Sequence, residues 1–184
     1  GKKGETAVLD SSGKLSADRV VVVGLGKQEN FDLDGARSAA AYSAQKVRDM
    51  KASSAGTIVH GAGAGGLDPE DAGCAIAEGV LMGLYKFDKY MTNEDKKKKK
   101  ELTEFAIIEM DKTVARSIRK GVKTGEILAG SANFARDLVN EPANVMSPAE
   151  LVKRARAMVR GNGLKIKVFN KKQLAEMKME ALLG

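Results

Sequence analysis

Two periods of apolar and polar positions take turns along the chain, and each switch marks an element. ETAVLD at 5–10 is a short strand candidate, followed by turn chemistry in SSGK at 11–14. RVVVVGLG at 19–26 is a β-branched run without polar interruption, the pattern of a strand buried on both faces. From Asp34 onward, Ala36, Ala39, Ala40, Ser43, Val47 and Met50 recur at helical spacing, and so small a face implies close packing on a sheet. GTIVHGAG at 56–63 is the next strand. Asp68 then caps a helix with Pro69 at its first position and acids in its first turn, running to about Tyr85. A polar stretch at 90–101 is a loop, and EFAIIEM at 104–110 is a further strand.

A long helical pattern covers about 112–140. Val114, Ile118, Val122, Leu128, Ala132, Ala135 and Val139 form its stripe, interrupted by Gly121, Gly125 and Gly130. Each glycine costs roughly 1 kcal/mol against alanine, so close backbone contact or a bend is expected there. Asn140-Glu141-Pro142 ends the helix, because a residue before proline is pushed out of the helical region. The chain then restarts at once. Ser147 is placed as N-cap, Pro148 as the first helical residue and Glu150 at the third position, which makes a capping box, with Met146 and Leu151 as its hydrophobic staple. LKIKVF at 164–169 alternates as a strand. Asn170 and Gln173 form a second box ahead of a closing helix that carries Leu174, Met177, Ala181 and Leu182.

The order β, β-α-β-α-β, long helix, α-β-α is an α/β fold with a parallel or mixed sheet. Two helices and one strand after Pro148 are too few to bury their own faces, so this end reads as the opening of a second domain that the chain does not complete.

Composition narrows the setting. The chain has 184 residues, 43% of them hydrophobic, and no Trp, so Ala, Val, Ile, Leu and Met must do the packing. No apolar run approaches the ~18–20 residues of a membrane span. Residues 1–15 lack the apolar core of a secretory signal, and Cys74 has no partner for an internal disulfide; a cytoplasmic, reducing setting without a membrane is expected. The formal charge of +7 lies in the last 34 residues, with nine basic and two acidic side chains. A basic tail suits nucleic acid, or acidic partners in sequence beyond this chain, and the second reading is preferred.

Candidate chemistry is sparse. GLGKQEN at 24–30 sits between strand and helix as a dinucleotide loop would, but lacks the third glycine and the acid on the next strand. HGAGAGG at 60–66 precedes a helix start and could cradle an anion, but Asp68, Glu70 and Asp71 place negative charge where the anion would sit. His60 is the only histidine, and a structural role at a strand end outweighs a catalytic one; Cys74 reads as a small buried residue. Lys96, Lys97, Lys98, Lys99 and Lys100 form a pentalysine that reads as a solvated connector, with a DNA-backbone contact as the alternative. No carboxylate cluster has metal-ligand spacing, and no active site follows from the residues themselves.

NFARDLVNEPANVMSPAEL at 133–151 closely resembles the start of the catalytic domain in the leucine aminopeptidase, or cytosol aminopeptidase, family. KGETAVLD, RVVVVGLGK, EGVLMGLYKFDKY with the lysine-rich loop after it, and MKMEALLG resemble the same family in the same order. The resemblance implies a macro-domain-like N-terminal α/β domain over 1–111, incomplete at its start, a linker helix over 112–140, and the beginning of a catalytic domain over 141–184. Pro142, Ser147, Pro148 and Glu150 then mark the hinge between them. It further implies a hexameric metalloenzyme with two divalent ions, zinc or manganese, that removes N-terminal residues, often leucine, from peptides through metal-activated water. The family's metal and catalytic residues lie in motifs of the type V-G-K-G-x-x-F-D-x-G-G and N-T-D-A-E-G-R. Neither occurs here, so no catalytic or metal-binding residue carries over and no cofactor is expected on this chain. The alternatives are a nucleic-acid-binding module, using the basic loop and tail, and a nucleotide-binding macro-like domain, using HGAGAGG.

Overall fold

A computed structural model describes residues 1–63, 65–92, 94, 101–161 and 163–183. Among these the chain forms β1 (Thr6–Asp10), β2 (Arg19–Val23), α1 (Leu33–Asp49), β3 (Ser54–Thr57), α2 (Pro69–Gly83), β4 (Glu104–Ile107), α3 (Lys112–Asn140), α4 (Pro148–Val159) and α5 (Lys171–Glu176), with 3-10 turns at Gln28–Asn30 and Glu180–Leu182. The architecture is mixed α/β, small sheets flanked by helices. The chain divides into two compact units, Gly1–Arg136 and Asp137–Gly184.

In the first unit, β1 and β2 pair antiparallel, from Thr6 opposite Val23 to Asp10 opposite Arg19. β3 and β4 pair parallel, from Ser54 opposite Glu104 to Thr57 opposite Ile107, through a connection that includes α2. β2 is not buried on both faces as its uninterrupted valines suggest. β1 is its sole partner among the described residues, and Val22 is half exposed. β3 begins two residues earlier than the apolar run, and Val59 is buried just beyond it.

Helix starts follow the local code. Asp32 caps α1 through the Gly35 amide (2.8 Å), Asp68 caps α2 through the amides of Glu70 and Asp71, and Asp111 caps α3 through those of Thr113 and Val114. The small face of α1 packs chiefly on α2, not on a sheet. Ala40 and Ala44 of α1 join Ala72, Ile76 and Val80 of α2, with Val59 and Ile118, in one apolar cluster. Side chains this small let two helices approach as readily as a helix and a sheet, so the pattern left the partner open.

α3 joins the same core by its glycines. Ile118, Gly121, Gly125 and Ala129 are its buried positions. A Cβ on Gly121 would overlap the carbonyl oxygen of Glu70, and one on Gly125 would stand 2.5 Å from that of Cys74, so α2 and α3 cross backbone on backbone. Gly130 meets nothing within 4 Å. The buried line therefore runs through the glycines, and Leu128 and Val139, placed on the buried stripe by periodicity, are exposed.

In the second unit α4 and α5 are the regular helices, and Glu180–Leu182 is a 3-10 turn where a continuing helix was expected. Residues 164–169 form no strand. Alternation supplies two faces but not a neighbour, and among the described residues no segment pairs with them.

Candidate functional site

The stretch that resembles the start of a catalytic domain is where the side-chain chemistry concentrates. Its first residues belong to the first unit. Asn133 Nδ2 donates to the Leu81 carbonyl (3.2 Å) and Arg136 Nη1 to that of Met82 (3.0 Å), while Gln45 Nε2 from α1 reaches Gly83 (3.0 Å). The last carbonyls of a helix have no partner within it and carry its negative end, so amides and a cation suit them. The Arg136 guanidinium also lies 3.9 Å above the Tyr85 ring.

Past Asn140 the chain folds into a compact loop in the second unit. The Pro142 carbonyl accepts from the amides of Val145 (2.9 Å) and Met146 (3.0 Å). Ser147 stands as N-cap of α4 with Pro148 next, and its Oγ accepts from the Glu150 amide at 3.3 Å. The reciprocal half of the expected capping box is missing. The Ser147 amide donates to the Val145 carbonyl (3.0 Å), and the Glu150 carboxylate takes Arg154 Nε (3.1 Å) and Lys153 Nζ (3.3 Å). Two cations one turn ahead outcompete a neutral amide for the same oxygens. At Asn170 and Gln173 no cation competes, and the box is complete at 3.0 Å in both directions.

Arg154 also donates from Nη2 to Glu141 Oε1 at 2.6 Å. Glu141 is the only buried polar residue among those described, its side chain 1% exposed. Hydrogen bonds from Arg154 and Lys153 hold the Glu150 carboxyl below its ordinary value, and those to Glu141 and then Glu150 raise the Arg154 guanidinium. Sequence reading missed this triad. Glu150 and Arg154 sit four apart on one helix face and were findable as a pair. Glu141 lies thirteen residues from Arg154, and only the path of the loop joins them.

The other candidates resolve into structural roles. The glycine-rich segment closes on itself, with Leu67 N donating to the Gly61 carbonyl (3.0 Å) and Gly61 at φ +82°. The first free amides of α2, which an anion would need, are held by Asp68. His60 is half-buried with Nε2 3.4 Å from Thr57 Oγ1, and burial pushes its pKa down. Cys74 is partly buried, and burial, then the Glu78 carboxylate, push its thiol up, away from a reactive thiolate. Lys96–Lys100 lie outside the described residues. In the basic tail, Lys153 and Arg154 are engaged by Glu150 and Glu141. Among the described residues no three His, Cys, Asp or Glu side chains are grouped to hold a metal, so the pair of ions implied by the resemblance has no fitting donor set there. No described helix is long and apolar enough to cross a membrane.

The family model for the N-terminal domain of the cytosol aminopeptidase family matches residues 1–94, and that for the family's catalytic domain matches residues 133–184. The chain belongs to the cytosol aminopeptidase family. A probable cytosol aminopeptidase of Alkaliphilus metalliredigens is 33% identical over 184 residues, covering 100% of this chain and 37% of that protein. One from Aquifex aeolicus is 39% identical over 182 residues, covering 99% and 34%. The chain thus spans about a third of the length of the curated family members it matches. Among solved structures, the bottromycin maturation enzyme BotP in complex with Mn is similar at TM-score 0.77 and 27% identity, covering 96% of this chain and 34% of that one. A mutant of tomato leucine aminopeptidase shares the fold at TM-score 0.76 over 97% of this chain and 34% of its own.

Proposed function

We propose that the chain is part of a metal-dependent leucyl aminopeptidase that removes N-terminal amino acids from peptides, with its N-terminal domain incomplete at its start. Residues 1–111 are its N-terminal domain, serving regulation and oligomerisation, 112–140 its linker helix, and 141–184 the opening of its catalytic domain. Pro142, Ser147, Pro148 and Glu150 form the hinge. The observation that carries this reading is the order of the two family matches, N-terminal domain before catalytic domain, with most of the 29-residue α3 between them. The compact units divide at Arg136, within the last turn of the proposed linker helix and four residues before its end at Asn140. The whole enzyme is a cytoplasmic hexamer that takes zinc or manganese, whose ligands lie outside this chain. Manganese in the similar BotP structure supports the metal class.

The test is a chimera in which residues 1–184 replace the matching third of the Aquifex aeolicus protein. Metal-dependent release of leucine from a chromogenic leucine substrate is expected from the chimera, and none from residues 1–184 alone with added zinc or manganese. A chimera that folds, by circular dichroism, yet shows no turnover would reject the assignment. So would metal-dependent turnover by the 184-residue chain of verified mass.

A further inference from the structure

We infer that α3 is mounted on α2 at two points of different character, and that the second, a polar clamp at the carboxyl end of α2, releases while the first stays closed. The first point is the glycine crossing, with Gly121 against the Glu70 carbonyl and Gly125 against that of Cys74, in the first half of α2. The second lies further along both helices. Asn133 and Arg136 stand three apart on one face of α3, and Arg136 Nη1 donates both to the Met82 carbonyl (3.0 Å) and to Asn133 Oδ1 (3.2 Å). Asn133 Nδ2 donates to the neighbouring Leu81 carbonyl (3.2 Å), and the guanidinium lies over Tyr85, just past the end of α2.

The two points answer to different forces. At the crossing backbone lies on backbone, and this opens only when the helices part. At the clamp, side-chain donors meet carbonyls that have no partner inside α2, bonds that water replaces at small net loss. A cation at the negative end of a helix adds an attraction that salt screens. The match to the family's catalytic domain begins at residue 133. The clamp therefore ties the first residues of that match to α2 within the first unit. Its release frees the last turns of α3 while Ile118 keeps its place in the apolar cluster.

The inference concerns the end of α3 and stands apart from the peptidase reading, since its test reads amides and no activity. Hydrogen exchange would be followed residue by residue in the 184-residue chain for wild type, Arg136→Met, Asn133→Ala and the double variant. Methionine keeps an unbranched stem and has arginine's helix propensity, so Arg136→Met removes the charge and the donors without weakening the helix itself. With a clamp, it speeds exchange at Phe134 and Ala135 by about fivefold, the worth of one net hydrogen bond. The amides of Ile118–Ala129 keep their wild-type rates, which separates a released clamp from a parted core. Asn133→Ala should act on the same two amides, and the double variant should fall short of the product of the single effects, because the two side chains are bonded to each other. Unchanged exchange at Phe134 and Ala135 in Arg136→Met, equal acceleration across Ile118–Ala129, or a double variant that multiplies the single effects would overturn the proposal.

Discussion

Among the described residues of Gly1–Arg136, thirteen apolar side chains are buried, eight of them alanine. In Asp137–Gly184 the one buried residue among those described is Glu141, a carboxylate. The first unit thus rests on removal of apolar surface from water, at about 25 cal/mol per Å², and on helices close enough to touch backbones. In the second, the one buried group among the described residues is a charge paired with Arg154, and the attraction in such a pair is largely offset by the cost of desolvating it. One mode of cohesion tolerates changes of charge but not of volume, and the other the reverse.

The sharpest way to break this contrast is Gly121→Ala. The new methyl group collides with backbone, not with a side chain that can turn away, so α2 and α3 must separate. A loss of about 2–3 kcal/mol in urea unfolding of the first unit is expected. A loss under about 0.5 kcal/mol would show that the crossing is looser than described. Next in size, Ser147→Ala should cost α4 about 0.5–2 kcal/mol, seen as faster amide exchange at Glu150 without change in α1 or α2. Gly130→Ala, on the same helix as Gly121 but facing open space, should stabilise by about 0.5–1 kcal/mol. Destabilisation there would mean that something packs on that face.

The legible part of the fold was what local sequence dictates. Asp68-Pro69 and Ser147-Pro148 gave two helix starts to the residue, and the proline after Glu141 gave the end of α3. What failed needed a partner that no window contains. The alternation at 164–169 is a strand only beside another strand. The alanine face of α1 fits a helix or a sheet. The capping box at Ser147 satisfied its rule of spacing, yet Arg154 and Lys153 hold the acid that the rule required. The buried pairing of Glu141 was invisible for the same reason.

The smallest expected effect is in pH, and it sharpens the comparison by separating the units in order. Burial depresses the folded pKa of His60 below its ordinary 6.5. The unfolded chain then takes up the proton first, so the first unit keeps this contribution above about pH 6.5 and loses it as pH falls through the folded value. Glu150 is likewise depressed below its ordinary 4.5 by Arg154 and Lys153, so its contribution is intact above that value and lost only in stronger acid. Exchange at α2 amides should therefore respond to acid before exchange at Glu150 does. The opposite order would mean that His60 is solvated.

The alanine-lined packing of α1, α2 and α3 has a consequence for how the molecule can be interrogated. An alanine scan, the usual way to find which buried positions matter, would pass over most of this core in silence. Ala36, Ala40, Ala44, Ala72 and Ala129 already carry the probe residue, and each is wholly buried. The informative library runs the other way, toward valine, leucine and phenylalanine. Its map of intolerance would trace the helix crossings directly.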